Sequence, residues 1–338
     1  MKLLLTVLLS IISATNCLAQ FEKYSHVYPI TEDPSVRWLS SYSPYEQIQF
    51  EANPIIKFSF YNNFVKRLAD TTKLHSMAQY LDFRPQFRLY KEESQPIKTP
   101  SYRIFLGTQH MFRLKSKQAD VAQFIGFAYQ TGHYSNGQSK CTFADGKFDG
   151  GQFCDSIYAT INDQTDLSAL LNRETGNYSM NLTELTVNYR FNKLNTDNYA
   201  KYTHSVSLGY VINHKGMLGF IDVDLVSKGD LDIIGRHRIN FAYEYLLAFR
   251  FSKKSNVYQR IRLKQQLEAI LGAHPHINPL RLESSATFYP ASTVSALGLV
   301  ISYIYGHDNY NFRVVDSGHQ FSAGLTWDLF PPVKLKSI

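Results

Sequence analysis

Beyond an irregular opening stretch that carries Pro29, Pro34 and Pro44, polar and apolar side chains alternate along the chain. Between Arg236 and Arg250, one parity holds His237, Ile239, Phe241, Tyr243, Tyr245, Leu247 and Phe249. The other holds Arg236, Arg238, Asn240, Glu244 and Arg250. The next run repeats this, with Val257, Ile261, Leu263, Leu267, Ala269 and Leu271 opposed to Arg260, Arg262, Lys264, Gln266 and Glu268. Successive side chains of a strand point to opposite faces, so a period of two reads as β-strand. Strands are predicted over 36–50, 55–63, 83–91, 101–114 and 121–135. After a long interruption they follow over 181–192, 201–213, 236–250, 257–271, 281–289, 294–306 and 319–330. The connections between the later strands are alternately long and short: 136–180, 193–200, 214–235, 251–256, 272–280, 290–293 and 307–318. An even strand count, with long loops at one end and short turns at the other, is the plan of a single-chain outer-membrane barrel. The expected fold is therefore all-β, an antiparallel transmembrane β-barrel of about 12 strands.

The first residues agree with export. Met1-Lys2 gives a positive start, Leu3 to Ile12 an apolar run, and Cys17-Leu18-Ala19 a small-residue cleavage site before Gln20. Such a segment is too short for a membrane helix and reads as a signal peptide over 1–19, leaving 20–338 as one barrel domain. Tyr and Phe number 23 each and 44% of residues are hydrophobic, yet mean hydropathy is −0.25. Apolar residues spread one in two give that result, because no window becomes hydrophobic. The formal charge of +7 suits an anionic lipid surface, and no nucleic-acid motif accompanies it. The expected location is the bacterial outer membrane. Cys141 and Cys154 remain after cleavage and, in an oxidising space, are expected to form a disulfide. A bridge of this span adds on the order of 3 kcal/mol.

Candidate chemistry stands at the outward end of the fifth predicted strand. Ile125, Phe127, Tyr129, His133 and Ser135 share one parity, against Ala122, Gly126, Ala128, Gln130 and Gly132 on the other. Across the loop, Asn181 shares the parity of Leu185, Val187 and Tyr189. His133, Ser135 and Asn181 are thus expected at one rim, on the lipid-facing side of adjacent strands. A serine, an imidazole to take its proton and an amide oxygen to hold the ring make a hydrolytic triad. Polar residues at a barrel rim also contact headgroups or water without doing chemistry, and that alternative stays open on these residues alone. The remaining histidines carry less. His274 and His276 stand in an outward loop without a cysteine or carboxylate cluster, and His307-Asp308 reads as a solvated pair in the last outward loop.

His133-x-Ser135-Asn136-Gly137-x-Ser139 resembles the catalytic motif of outer membrane phospholipase A, a calcium-dependent phospholipase A1 family of bacterial outer membranes. Ser179-Met180-Asn181 resembles the Ser-x-Asn with which the next strand of that family begins. Tyr305-Gly306, Tyr310-Asn311-Phe312 and the closing Asp328-Leu329-Phe330 are similar to its last hairpin. The resemblance implies a twelve-stranded barrel that hydrolyses acyl esters of membrane phospholipids. In it Ser135 is the nucleophile, His133 the base and Asn181 the orienting group. It also implies Ca2+ bound partly through the Gln138 carbonyl, an oxyanion met by a backbone N–H after Ser135, and a homodimer as the active form. Two features depart from the family. The loop from Asn136 to Met180 is long and carries the cysteine pair, and the last strand is followed by Pro331-Pro332-Val333-Lys334-Leu335-Lys336-Ser337-Ile338. A second calcium-binding carbonyl carries over to no residue here. Asp145, Asp149 and Asp155 are either oxygen ligands or a solvated loop. The rival functions are a non-enzymatic barrel (small channel or structural protein) and another barrel hydrolase such as a lipid A deacylase. In the lumen Arg236, Arg238, Arg260, Arg262, Lys264 and Glu268 are expected to pair and plug rather than conduct.

Overall fold

A computed structural model describes residues 27–40, 47–70, 72–93, 97–144, 148–214, 228–250, 258–291, 296–311 and 313–336. The expected signal segment 1–19, the expected mature start near Gln20 and Asp145 lie outside these. The alternation of the sequence becomes an alternation of exposure. In β9 (His237–Phe249), Ile239, Phe241 and Tyr243 face outward and are exposed. In β10 (Gln259–Leu271), Ile261, Leu263 and Leu267 do the same while Arg260 and Arg262 are buried. Apolar side chains thus clothe the outside and charged ones fill the inside, the reverse of a protein that meets water on its outer surface.

The remaining strands are β1 (Ser35–Leu39), β2 (Ile48–Asn53), β3 (Ile56–Asn62), β4 (His75–Tyr90), β5 (Ser101–Leu114), β6 (Val121–Ser135), β7 (Ser179–Leu194), β8 (Ala200–His214), β11 (Leu280–Tyr289), β12 (Leu297–His307) and β13 (Ser317–Trp327). From β4 to β13 each pairs with the next, antiparallel. β1 pairs with β13 (Ser35↔Thr326) and with β2 (Ser35↔Asn53), and β2 pairs with β4 (Phe50↔Leu89), so the sheet closes on itself. β3 continues along the other half of β4 (Ile56↔Phe83). Pro54, which has no N–H to give the ladder, lies between β2 and β3. With β2 and β3 counted as one interrupted strand, this is a closed antiparallel barrel of twelve strands.

Two predicted strands differ from this. The segment 36–50 is not one strand but β1 and β2, which pair with each other. The segment 83–91 is the second half of β4, which begins at His75. The first half of β4 hides its period because its inward side holds Ala78 and Tyr80 as well as Ser76 and Asp82.

Both ends of the barrel are filled. At one end, residues 27–34 run inside the wall. Tyr28 packs edge-on against Tyr80 at 5.3 Å, and Ile30 bonds through its N–H and C=O to the Gln109 amide. Glu32 meets Arg84 at 3.2 Å and Arg103 at 3.5 Å, and Asp33 meets Arg262. The proline-containing tail folds back here too. Asp328 takes Arg260 at 2.7 Å, and Leu335 is buried with Val27, Tyr28, Phe64, Leu68 and Phe124. At the other end, Phe143, Leu167, Leu231, Ile234, Ile277 and Val314 from the long loops form a second apolar cluster with Met180 of β7. Between the two lies a cavity of about 440 Å³ lined by paired charges, among them Arg238–Glu268 at 3.1 Å and Arg37–Glu283 at 3.4 Å. His307 and Asp308 are not solvated as expected. His307 Nε2 lies 2.9 Å from Glu268 and Asp308 pairs with Arg88, both inside the wall.

Candidate functional site

β6 and β7 pair with His133 opposite Asn181, Ser135 opposite Ser179 and Thr131 opposite Thr183. One step beyond, the Asn136 N–H donates to Tyr178 C=O at 2.9 Å. Hydrogen-bonded and non-hydrogen-bonded rungs alternate in an antiparallel pair, so the three outward rungs are of the non-hydrogen-bonded kind. There the strands come closest and facing side chains touch. Thr131 Oγ1 and Thr183 Oγ1 are 2.9 Å apart, and His133 Nδ1 is 2.9 Å from Asn181 Oδ1. The amide oxygen only accepts, so the ring proton belongs on Nδ1 and Nε2 keeps its lone pair. Asn181 is 1% exposed and its ring contact is shielded, while His133 and Ser135 are half-buried at the surface. Gly132 allows the close packing on the other side, since a Cβ there would stand 1.9 Å from Ile104 C=O.

The serine expected to attack does not lie on the ring. Ser135 Oγ accepts the Gly137 N–H at 3.1 Å, and among the described residues it makes no hydrogen bond to His133. The hydroxyl in hydrogen-bond contact with His133 Nε2 is that of Ser179, at 3.5 Å. Of the backbone N–H groups after Ser135, the first, that of Asn136, donates to Tyr178 C=O, which leaves the Gly137 N–H as the expected oxyanion donor. Asn136 pins the loop start from both sides. Its amide donates to Gly176 C=O at 2.7 Å, and its side-chain oxygen accepts from Tyr178 N–H at 2.9 Å and Gln138 N–H at 3.2 Å. Gly137 then turns the chain with φ +68°, a conformation that favours glycine.

The same wall carries Phe127, Tyr129, Leu185, Val187 and Leu208, all exposed, Phe127 by 45%. Polar backbone is paired around the whole ring and the outer surface is apolar, which is the condition for crossing a bilayer with strands. The protein is an outer-membrane β-barrel.

No family model matches the chain, and no curated protein is significantly similar to it. Solved structures similar to it include outer membrane phospholipase A from Escherichia coli, 10% identical over 91% of this chain and 97% of that one, with a TM-score of 0.46. A calcium-bound dimer of the Salmonella typhi outer membrane phospholipase is also 10% identical, over 91% and 99%, with a TM-score of 0.44. LpxR from Salmonella typhimurium is 8% identical over 88% and 99%, with a TM-score of 0.34. At such identities and TM-scores the likeness assigns no function to this chain.

Two residues near the site were not singled out from the sequence. Thr183 Oγ1 lies 2.9 Å from His214 Nε2, and His214 is the register partner of Asn181. The outward parity of both was the available signal. The long loop is held by the Cys141–Cys154 disulfide and contains the helices α1 (Gln152–Tyr158) and α2 (Leu167–Leu170). Asp149 accepts from Asn177 at 2.6 Å, and Asp155 stands exposed on α1. Tyr158 donates to Asp230 on α3 (Lys228–Ile234), where burial pushes the Asp230 carboxyl up to about 7 despite that bond. His274 Nε2 meets Asn162 C=O at 2.7 Å, and His276 faces Asp166 at 3.2 Å. Among the described residues no three His, Cys, Asp or Glu side chains gather as a metal site.

Proposed function

We propose that this barrel is a phospholipase that hydrolyses acyl esters of membrane phospholipids from the lipid side of its wall. The observation that carries the reading is the 2.9 Å contact of His133 Nδ1 with Asn181 Oδ1, which leaves Nε2 as a base beside an outward serine. Ser135 lies two residues along the same strand face. In this reading a turn about its Cα–Cβ bond brings its hydroxyl toward Nε2, and contacts of this kind are often open before substrate binds. Ser135 Oγ then attacks the ester carbonyl carbon while its proton passes to Nε2. The carbon–oxygen bond to the glycerol breaks, and its oxygen leaves with that proton. Water repeats the sequence on the acyl-serine and frees the fatty acid. The same turn releases the Gly137 N–H from Ser135, and that donor then faces the developing oxyanion.

The lipid-facing position supports the substrate class. Ester groups lie near the headgroup boundary, and His133 and Ser135 stand at the rim above the apolar band of Phe127, Leu185 and Val187. Calcium fits less well. Calcium takes six to eight oxygens, and the Gln138 carbonyl is one. Asp149 is engaged by Asn177 and Asp155 is exposed on α1, so among the described residues one chain does not assemble a calcium cage. No step above is routed through the ion. Calcium dependence and a homodimer are proposed together, with the remaining oxygens supplied by water and a second barrel. Inside lipid, apolar walls gain nothing from excluding water, so such a dimer rests on packing, polar contacts and the shared ion.

The test is fatty-acid release from phospholipid in mixed micelles by the refolded protein, run with calcium and with excess chelator beside sedimentation. The expected result is release that rises with calcium and with the dimer. No release under either condition sinks the hydrolase reading. Full release from a strictly monomeric species in chelator sinks the calcium-linked dimer alone.

A further inference from the structure

The outermost rung of the site sets two hydroxyls beside one base. We propose that Ser179 is a positioning residue that holds the Nε2 nitrogen of His133 and competes with Ser135 for it. The inference rests on the hydrolase reading above. With Nδ1–H directed to Asn181, the neutral ring has a single acceptor nitrogen. Ser179 Oγ is 3.5 Å from that nitrogen, on the diagonal of the closely spaced rungs. Its register partner Ser135 meanwhile takes the Gly137 N–H. One lone pair accepts one good hydrogen bond, so Ser135 cannot pass its proton to the ring while Ser179 occupies it. Ser179 is only 8% exposed, whereas Ser135 is half-buried at the surface, so an ester arriving from lipid meets Ser135. Ser179 therefore does not replace Ser135 as the attacking group. It sets the fraction of molecules in which the base is free, and the reactivity of Ser135 falls with that fraction.

A neutral hydrogen bond of this kind changes an equilibrium about two- to tenfold. A fluorophosphonate probe reads the effect directly. The activated serine Oγ bonds to phosphorus, the P–F bond breaks, fluoride leaves and the serine proton passes to Nε2. Labelling rate and labelled residue are measured by mass spectrometry on refolded wild type, Ser179→Ala and Ser179→Thr, each checked for an intact barrel by circular dichroism. The expected result is label on Ser135, about two- to tenfold faster in Ser179→Ala and restored to the wild-type rate in Ser179→Thr, which keeps the hydroxyl. An equal or slower rate in Ser179→Ala overturns the inference, and so does wild-type label on Ser179. No label on any wild-type serine would instead contradict the hydrolase reading. The nitrogen-15 spectrum of the His133 ring decides the Ser179 contact in either case. Loss of the hydroxyl should move the Nε2 resonance, and an unmoved resonance overturns the inference.

Discussion

At the residue scale the site depends on which side chains share a non-hydrogen-bonded rung. Asn181 holds the ring by its amide oxygen without adding a charge, and a neutral orienting group costs less to bury at a lipid boundary than a carboxylate. Its loss should be less severe than loss of the base. His133→Ala is expected to lower turnover by about a million-fold, and Asn181→Ala by about ten-thousand-fold, because the ring still finds the serine part of the time. Initial rates on a phospholipid ester in detergent measure both. Equal losses in the two variants would place Asn181 in a different role. The parity of His133, Ser135 and Asn181 could be read from the sequence, because it requires only the period of a strand. The rotamer of Ser135 and the approach of Ser179 could not. They follow from the register of β6 against β7 and from the turn at Gly137, and neither is encoded in spacing along one strand.

At the element scale the long loop is the part that departs from the resembled family, and it folds into a cap rather than a solvated excursion. The strand period was legible where inward residues were charged, as in β9 and β10, and illegible in the first half of β4, where Tyr80 points inward. The cap is expected to respond to pH through Asp230. Its carboxyl sits at about 7 in the folded loop against 3.8 in the unfolded chain, because burial disfavours the charge. Between those values the unfolded chain has released a proton that the folded loop still holds. Stability of the cap should therefore fall as pH rises from about 4 to about 7 and stay level above that. Hydrogen exchange over Lys228–Ile234, corrected for intrinsic rate, reads this, and Asp230→Asn should flatten the profile. A second expectation concerns the bridge. Reduction of Cys141–Cys154 should raise exchange across 141–178 and leave the strands protected, since the bridge closes a span of 13 residues wholly within the loop. Loss of strand protection on reduction would contradict it.

At the scale of the whole molecule the barrel is stoppered. The 27–34 segment and the tail close one mouth, the loop cluster closes the other, and ion pairs such as Arg238–Glu268 and Arg37–Glu283 lie between them. The mixed sign of the lumen residues was visible in the sequence, but their partners were not. Asp33 with Arg262 and Asp328 with Arg260 join residues far apart in the chain, brought together only when the ends fold inward. A barrel so filled should carry no steady ionic current. Refolded protein in a planar bilayer is expected to show none, and discrete open-channel steps would favour the channel reading. In the proposed function the chemistry takes place on the outer wall, and Ser135 is the group on which it depends. The most direct measurement compares fatty-acid release by refolded wild type and Ser135→Ala, with the strand content of both verified. The account predicts that Ser135→Ala keeps the barrel and loses turnover by about a million-fold. Wild-type turnover in Ser135→Ala would contradict it.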